Sequence, residues 1–218
     1  MHKEGSYCSL IGALLAIAIS MLANSKLYAQ TKNDTNLKKE VLADRDGNKY
    51  TIKTMLDNNC WMTENLRVNI PGSYCYDNTN QACGQYGRLY TWKAATEGCA
   101  LLGKGWELPS NEDWGRLTVL YGGQTRDSVA MRKAAYRALL GNGVSGFNAL
   151  LGGGRNTDSL YTRIEAHGFY WVSTEADKSN AWYYNFASGQ QALFEQDGTE
   201  KTRAFSVRCV KKMNGLKP

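Results

Sequence analysis

The stretch GWELPSNEDW, from Gly105 to Trp114, decides the fold, because it carries an extended segment into the first strongly periodic helix of the chain. Pro109 ends the extended part, and Ser110 followed by acidic residues is typical of a helix N-cap. The apolar face of this helix recurs at helical spacing as Trp114, Leu117, Leu120 and Tyr121. The stretch therefore predicts a strand-to-helix junction that anchors a helix to the core.

The two tryptophans of this stretch also allow a second interpretation, a binding site lined with aromatic rings. Trp106 precedes the cap, so its ring is expected to pack back against the helix as a hydrophobic staple. Glu107 and Glu112 have no basic or nucleophilic partner within the stretch. These observations favour a structural role.

The rest of the chain predicts an α+β domain with two main helices, short antiparallel strands and long loops. Asp46-Gly47 between two β-type runs predicts a hairpin turn, and the weaker alternative for Asp44–Asn48 is a calcium loop. A loop is predicted over residues 69–85, and a short helix around residues 93–97 is expected to stop at Gly98. The second main helix is predicted over residues 129–140, before a strand-rich second half.

The N-terminus has the order of a secretory signal. A short basic start precedes the apolar run Leu10–Ala23, and a small residue, Ala29, follows. The run is shorter than the roughly 20 residues that span a bilayer, although a retained anchor is the alternative. We therefore expect a signal peptide over residues 1–29, a flexible linker over residues 30–40, and a secreted or cell-surface protein without a membrane span in the mature chain.

Charge and cysteine content agree with export. From residue 30 onward, 24 basic residues face 19 acidic ones without clustering, so a nucleic-acid partner is not expected. An exported chain with several cysteines normally forms disulfides. Cys75 and Cys83 flank a short turn-rich loop that is easily bridged, and Cys99 and Cys209 would then close a long loop. Cys60 is left as a buried thiol, an alternative partner in these bridges, or a reactive residue.

The order of motifs resembles the Fibrobacter succinogenes major paralogous domain family. The motifs are DGNKYTIKTM, CWMTENL, CYDNTNQACGQYGRLYTW, GWELPSNEDW, GFNALLGGGRN, WVSTE, AWYYNF and FSVRCV. They place the domain at residues 41–212, followed by a tail over residues 213–218. The biochemical role of this family, which is widespread in secreted and surface proteins of Bacteroidetes-type bacteria, is unestablished.

GWELPSNEDW and FSVRCV are also similar to the formylglycine-generating-enzyme and C-type-lectin-like superfamily. This similarity implies a compact, loop-rich α+β fold with neighbouring termini. It also implies a disulfide between the last strand and the helical half, in agreement with pairing Cys99 and Cys209. The WMTENL segment usually lacks a cysteine in the family that the chain resembles, so Cys60 is expected to be unpaired.

Catalytic and metal motifs are weak. His167 is the one histidine from residue 30 onward, which excludes a His-rich zinc site, and it is expected to be a turn residue. Gly152–Arg155 lacks the ending of a phosphate-binding loop, so a turn is favoured. Formylglycine-generating catalysis needs reactive cysteines and copper, and no cysteine stands near Cys60 at an active-site spacing. We therefore expect no catalytic residue, no metal site and no cofactor.

A mixture of aromatic and polar residues around residues 171–184 is typical of sugar recognition. Flat rings pack on the C–H faces of sugars, while carboxylates and amides bind hydroxyls. The candidate ligand-binding residues here are Trp171, Glu175, Asp177, Asn180, Trp182, Tyr183 and Tyr184. By family resemblance, Arg155 and Asn156 lie in a loop that borders such a surface. The alternative is that Trp171 and Trp182 enter the core, and that Arg155 pairs with a carboxylate at the core edge.

The leading hypothesis is a non-enzymatic, surface-displayed module that binds a glycan, a polymer or a surface protein through loops of its second half. The second is a structural or assembly subunit of a surface layer or appendage. The third is an enzyme related to the formylglycine-generating family.

Overall fold

The structure, a computed structural model, describes residues 40–122 and 128–213, so the predicted signal peptide and all but the end of the linker lie outside the described residues. The described residues contain four α-helices: α1 (Asn80–Tyr86), α2 (Trp92–Ala100), α3 (Asn111–Gly122) and α4 (Val129–Leu139). The twelve β-strands are β1 (Glu40–Ala43), β2 (Lys49–Thr54), β3 (Cys60–Met62), β4 (Ser73–Tyr74), β5 (Leu89–Tyr90), β6 (Trp106–Glu107), β7 (Gly152–Arg155), β8 (Tyr161–Ile164), β9 (His167–Glu175), β10 (Asn180–Ala187), β11 (Ala192–Glu200) and β12 (Val210–Lys211). The architecture is mixed α+β, as the sequence predicts.

The first sheet brings the two ends of the domain together. Its strand order is β1-β2-β3-β12-β6, and all of its pairs are antiparallel. The turn between β1 and β2 contains Asp46-Gly47, which confirms the predicted hairpin. Val210 of β12 pairs with Trp61 on one side and with Glu107 on the other. β12, the last strand of the domain, is therefore an interior strand that pairs with β3 on one side and with β6 on the other.

The second sheet has the order β11-β10-β9-β7-β8 and carries the candidate ligand-binding residues of β9 and β10. Its pairs are antiparallel except for the parallel contact of β7 with β9 at Gly153 and Gly168. Gly152–Arg155 is thus a strand rather than the predicted turn. Gly153 has a φ of +64°, and a Cβ there would lie 2.5 Å from the Thr162 carbonyl oxygen, so the close approach of β8 requires glycine.

Helix boundaries differ from the predictions where packing decides them. Residues 69–85 were expected to form a loop, but they contain a short 3₁₀ turn at Tyr76–Asn78 and helix α1. Helix α2 continues through Gly98 to Ala100 instead of ending at this glycine. The position requires glycine for packing, because a Cβ there would lie 2.8 Å from a Leu66 methyl group. The described residues therefore contain the two predicted main helices, α3 and α4, the predicted short helix in a longer form, α2, and an additional helix, α1.

The predicted cap of α3 is present. The Asp113 amide donates to Ser110 Oγ, and the Ser110 amide donates to the Asp113 carboxylate at 2.9 Å. This reciprocal pair is the arrangement of a capping box, with aspartate at the third helical position. Leu117 is buried on the apolar face as predicted, whereas Leu120 is 44% exposed and lies outside the core.

The hydrophobic interior consists of two main clusters, and GWELPSNEDW contributes to both. Trp106 belongs to the first cluster, together with the sulfur-bearing residues Cys99 and Cys209. Trp114 belongs to the second cluster, where its ring stacks on Tyr184. The staple prediction is therefore wrong: β6 and α3 send their tryptophans to different cores, and the stretch joins two cores rather than pinning one helix.

Two disulfides connect parts of this fold. Cys75 is bonded to Cys83 across the turn before α1, and Cys99 of α2 is bonded to Cys209 beside β12. Both pairs agree with the sequence prediction. Cys60 is a free, buried thiol.

Arg208, in the FSVRCV motif, is a buried charge that ties several segments together. Its guanidinium donates to Asn65 Oδ1 at 2.6 Å and to the carbonyl oxygens of Met62, Phe147 and Asn148. The side chain also lies over the Phe147 ring. Because all of these partners are neutral, the cation is stabilised by dipoles rather than by an ion pair.

Candidate ligand-binding surface

The β9–β10 hairpin holds most of the predicted site residues, but two of the predicted aromatic rings lie in the core. Trp171 is 0% exposed, and its indole N–H donates to the Tyr90 carbonyl oxygen at 2.8 Å. Tyr184 is 2% exposed, and its ring centroid lies 5.0 Å from that of Trp114. Trp182 is half-buried against the second cluster. Trp171 and Tyr184 are consequently core residues: Trp171 lies in the first cluster on one face of the sheet, and Tyr184 lies in the second cluster on the other face, where only a small part of it stays exposed.

The polar members form the turn of the same hairpin. The Asp177 carboxylate accepts hydrogen bonds from the Ser179 amide and from both the amide and the side chain of Asn180. The Asn180 side chain and these amides lower the pKa of Asp177. Glu175 pairs with Lys201 at 2.6 Å, and the Lys201 ammonium also donates to the carbonyl oxygens of Asp177 and Lys178. These groups satisfy one another, so their observed role is to close the turn.

Arg155 and Asn156 lie at the end of β7. The Arg155 guanidinium is 4.0 Å from the centroid of the Tyr74 ring, so its observed partner is an aromatic face rather than the core-edge carboxylate of the alternative interpretation. Asn156 Oδ1 accepts a long bond from Arg203 at 3.4 Å. Both side chains are half-buried; Arg155 is the last residue of β7, in the same sheet as the hairpin, and Asn156 follows it.

A cleft of about 470 Å³ lies between α3, α4 and β11. We call it the helix–strand cleft, and it is lined by Asn111, Glu112, Gly115, Thr118, Val119, Met131, Arg132, Tyr184, Leu193, Phe194 and Glu195. Asn111 Nδ2 donates to the Glu195 carboxylate at 2.7 Å across the cleft, and Arg116 pairs with Glu112 at 2.9 Å. The Arg132 guanidinium lies 5.6 Å from the centroid of the half-buried Phe194 ring. The lining therefore includes an aromatic ring that lies near a cation, and two carboxylates that each accept a hydrogen bond.

Sequence reasoning missed this cleft except for Tyr184. Asn111 and Glu195 are 84 residues apart, and no spacing rule connects a helix start with an edge strand so far along the chain. The one local signal was Phe194-Glu195, an aromatic residue beside an acid in a β-type run.

The calcium alternative concerned the β1–β2 turn. The buried Asp44 carboxylate accepts hydrogen bonds from the amides of Asp46 and Asn48, from the Asn48 side chain and from the Tyr50 hydroxyl. Burial and this last bond raise the pKa of Tyr50. Both Asp44 oxygens thus hold the turn. Across residues 40–122 and 128–213, no three His, Cys, Asp or Glu side chains are grouped as metal ligands would be.

Two residues were weighed as catalytic candidates. His167 is the first residue of β9 rather than a turn residue; its Nδ1 is 2.9 Å from Asn185 Oδ1, and its ring stacks on Phe169. Burial raises the pKa of the Cys60 thiol, with the nearby Glu40 charge adding to the effect. A raised thiol pKa disfavours the thiolate that nucleophilic chemistry requires.

Taken as a class, the described residues form an α+β domain with two five-stranded sheets, two main hydrophobic clusters, and a disulfide to Cys209 beside the last strand. The family described as the Fibrobacter succinogenes major domain matches residues 55–211, and the chain belongs to this family. Comparison with curated proteins and with solved structures gave no match. Within the part of the chain that the structure describes, no helix has the length and apolar character needed to cross a membrane.

Proposed function

We propose that this protein is an exported, surface-displayed binding module that recognises a glycan through the helix–strand cleft. The observation that carries the proposal is a cleft of ligand size whose lining includes Phe194 and the hydrogen-bonded pair of Asn111 and Glu195. Ligand sites usually enclose about 300–1,000 Å³ and combine apolar surface with a few oriented polar groups. Export rests on the predicted signal peptide, and a C-type-lectin-like assignment of the fold rests on the motif similarity and on the position of the Cys99–Cys209 disulfide.

The chemistry of the cleft suits a neutral sugar. The Phe194 face provides a platform for the C–H surface of a pyranose ring, while carboxylate and amide oxygens accept bonds from hydroxyls. Asn111 holds Glu195, and Arg116 holds Glu112, so these acceptors are oriented before a ligand arrives. The exposed polar residues of the β9–β10 hairpin, together with Trp182, Arg155 and Asn156, are proposed as secondary contacts.

A glycan array followed by titration calorimetry tests this proposal. We expect Phe194→Ala and Glu195→Gln to weaken binding about tenfold each, the loss of one ring contact or one charged acceptor. Leu160→Ala and Glu97→Gln are matched controls, because both residues are exposed and lie outside the cleft lining. An Asn180→Ala variant probes the hairpin separately.

Two outcomes contradict the proposal. An array without binding at high protein concentration, with and without calcium, removes the glycan-binding function. Equal losses in the cleft variants and the controls would place the site elsewhere. Purification of a stable homopolymer would instead favour the structural-subunit hypothesis.

A further inference from the structure

A second cleft, of different chemistry, lies between the β1–β2 turn and α1. Its volume is about 630 Å³. We call it the guanidinium cleft, and it is lined by Asp46, Asn48, Arg67, Asn69, Asn80, Cys83, Gly84 and Arg88. Except for Cys83 and Gly84, every lining residue has a polar side chain. Such a lining suits a hydrophilic ligand.

Arg88 places a positive charge in this cleft without a carboxylate partner. Its Nε donates to Ser73 Oγ at 2.9 Å, and one Nη donates to the Ser73 carbonyl oxygen at 3.1 Å. The other Nη lies 3.5 and 3.6 Å from the sulfurs of the Cys75–Cys83 disulfide. Among the described residues, no Asp or Glu oxygen comes within ion-pair distance of this guanidinium. Neutral groups therefore fix the orientation of Arg88 and leave its charge uncompensated.

Arg67 adds a second guanidinium. It donates to the Lys49 carbonyl oxygen at 2.7 Å and meets Glu64 only at 3.4 Å. Burial opposes ionisation of Glu64, but hydrogen bonds from the amide and hydroxyl of Thr51, with the Arg67 charge, lower the pKa of this carboxyl. Glu64 is thus shared with Thr51, which leaves part of the Arg67 charge available.

The one carboxylate in the cleft lining is already engaged. Asp46 accepts a hydrogen bond from the Asn69 amide at 2.7 Å and lies 3.9 Å from Arg45. The side-chain amides of Asn69 and Asn80 are exposed and make no hydrogen bond within the described residues. The cleft therefore combines a net positive charge with two amide groups that are open to a ligand.

We propose that the guanidinium cleft binds an anionic saccharide, with Arg67 and Arg88 holding a carboxylate or sulfate on the sugar and Asn69 and Asn80 binding its hydroxyls. Guanidinium groups bind planar or tetrahedral oxyanions through charge-assisted hydrogen bonds. A saccharide is the proposed occupant rather than an acidic peptide, because the exposed side-chain amides of Asn69 and Asn80 can bind the hydroxyls that a sugar offers and acidic side chains lack. This site is separate from the helix–strand cleft and goes beyond the neutral-sugar function proposed above.

Calorimetry on the protein tests the inference with four probes: an oligogalacturonate, a sulfated oligosaccharide, a neutral oligosaccharide of equal length and an oligoglutamate peptide. We expect one or both anionic saccharides to bind, with an affinity that falls on raising the salt concentration because the contact is electrostatic. Preference between the two identifies the anionic group. Any binding of the neutral oligosaccharide should be unaffected by substitutions in this cleft.

Variants locate the site. Arg88→Gln should weaken anionic-saccharide binding about tenfold or more, and Asn80→Ala about threefold, the loss of a charged and of a neutral hydrogen bond respectively. Asn80 is exposed without side-chain bonds, so its replacement leaves the fold intact if Arg88→Gln does not fold. Arg137→Gln and Gln81→Ala are matched controls, because both residues are exposed and lie outside the cleft lining.

The two proposals fail independently. Phe194→Ala should leave anionic-saccharide binding unchanged, so loss of neutral-sugar binding alone does not affect this inference. It is overturned if neither anionic saccharide binds, if Asn80→Ala and Arg88→Gln both bind like their controls, or if oligoglutamate binds as tightly as the saccharides.

Discussion

Removing the two disulfides should have very different costs, because they close loops of very different length. The bonded cysteines are 110 residues apart for Cys99–Cys209 and 8 residues apart for Cys75–Cys83. Loop-closure entropy in the unfolded chain then gives about 5 kcal/mol for the long loop and about 2.5 kcal/mol for the short one. Cys99 and Cys209 are also fully buried in the first cluster, so replacing both cysteines with alanine leaves a small cavity that further lowers the free energy of unfolding.

Urea denaturation at 25 °C, followed by tryptophan fluorescence, measures this difference between the double variants C99A/C209A and C75A/C83A. The first should be destabilised about twice as much as the second, and its m-value should rise because the unfolded chain exposes more surface without the long crosslink. Cys60→Ala serves as a control for cysteine removal alone. Equal costs, or a larger cost for the short loop, would refute the loop-closure reasoning; complete unfolding of C99A/C209A agrees with it only if C75A/C83A stays folded.

Four further predictions follow from the packing and the ionisable groups. Trp106→Phe and Trp114→Phe should each lower the free energy of unfolding by roughly 1–3 kcal/mol. The two losses should be additive to within about 0.5 kcal/mol in the double variant, because the rings occupy separate clusters, and strong coupling in a double-mutant denaturation cycle would contradict this. Arg208→Met should cost about 3–5 kcal/mol in the same assay, because buried carbonyl groups lose their donor, and a neutral effect would argue against that role. Because the pKa of Glu64 is lowered in the folded state, its ionised form stabilises the fold above the ordinary carboxyl value near pH 4.3, and this stabilisation is lost as pH falls through the folded pKa. Glu64→Gln should therefore flatten the decline of Tm between about pH 5 and 3, and an unchanged slope would count against this role. Cys60 should resist alkylation in the folded protein at neutral pH and react after unfolding, as mass spectrometry can detect; rapid labelling of the folded protein would reopen a thiol mechanism.

Prediction of the fold succeeded where neighbouring residues determine the outcome. The α+β class, the β1–β2 hairpin and the cap of α3 follow from turn and capping chemistry within a few residues. Gly98 misled the prediction of α2, because glycine is also used where a helix packs closely against another segment, here at Leu66. The sequence could not distinguish these two uses of glycine.

Prediction of the site was less successful, because a strand pattern does not reveal what covers each face of a sheet. Trp171 and Tyr184 point to opposite faces of the second sheet, and each face is closed by a different cluster. The aromatic residues of this segment that suggested sugar binding therefore lie largely in the core, and its polar residues form the turn of the hairpin. Tyr184 alone among the predicted residues lines the helix–strand cleft.

The sequence by itself determined the class of the domain, its hairpin turn, its helix cap and the cysteines that are bonded, since short-range chemistry and motif order carry this information. Tertiary structure alone decided that Trp106 and Trp114 serve separate cores, that both sheet faces are covered, and that Asn111 meets Glu195. The physical reason is that burial depends on which distant segments pack together. That choice is made by the folded chain as a whole, and local periodicity does not encode it.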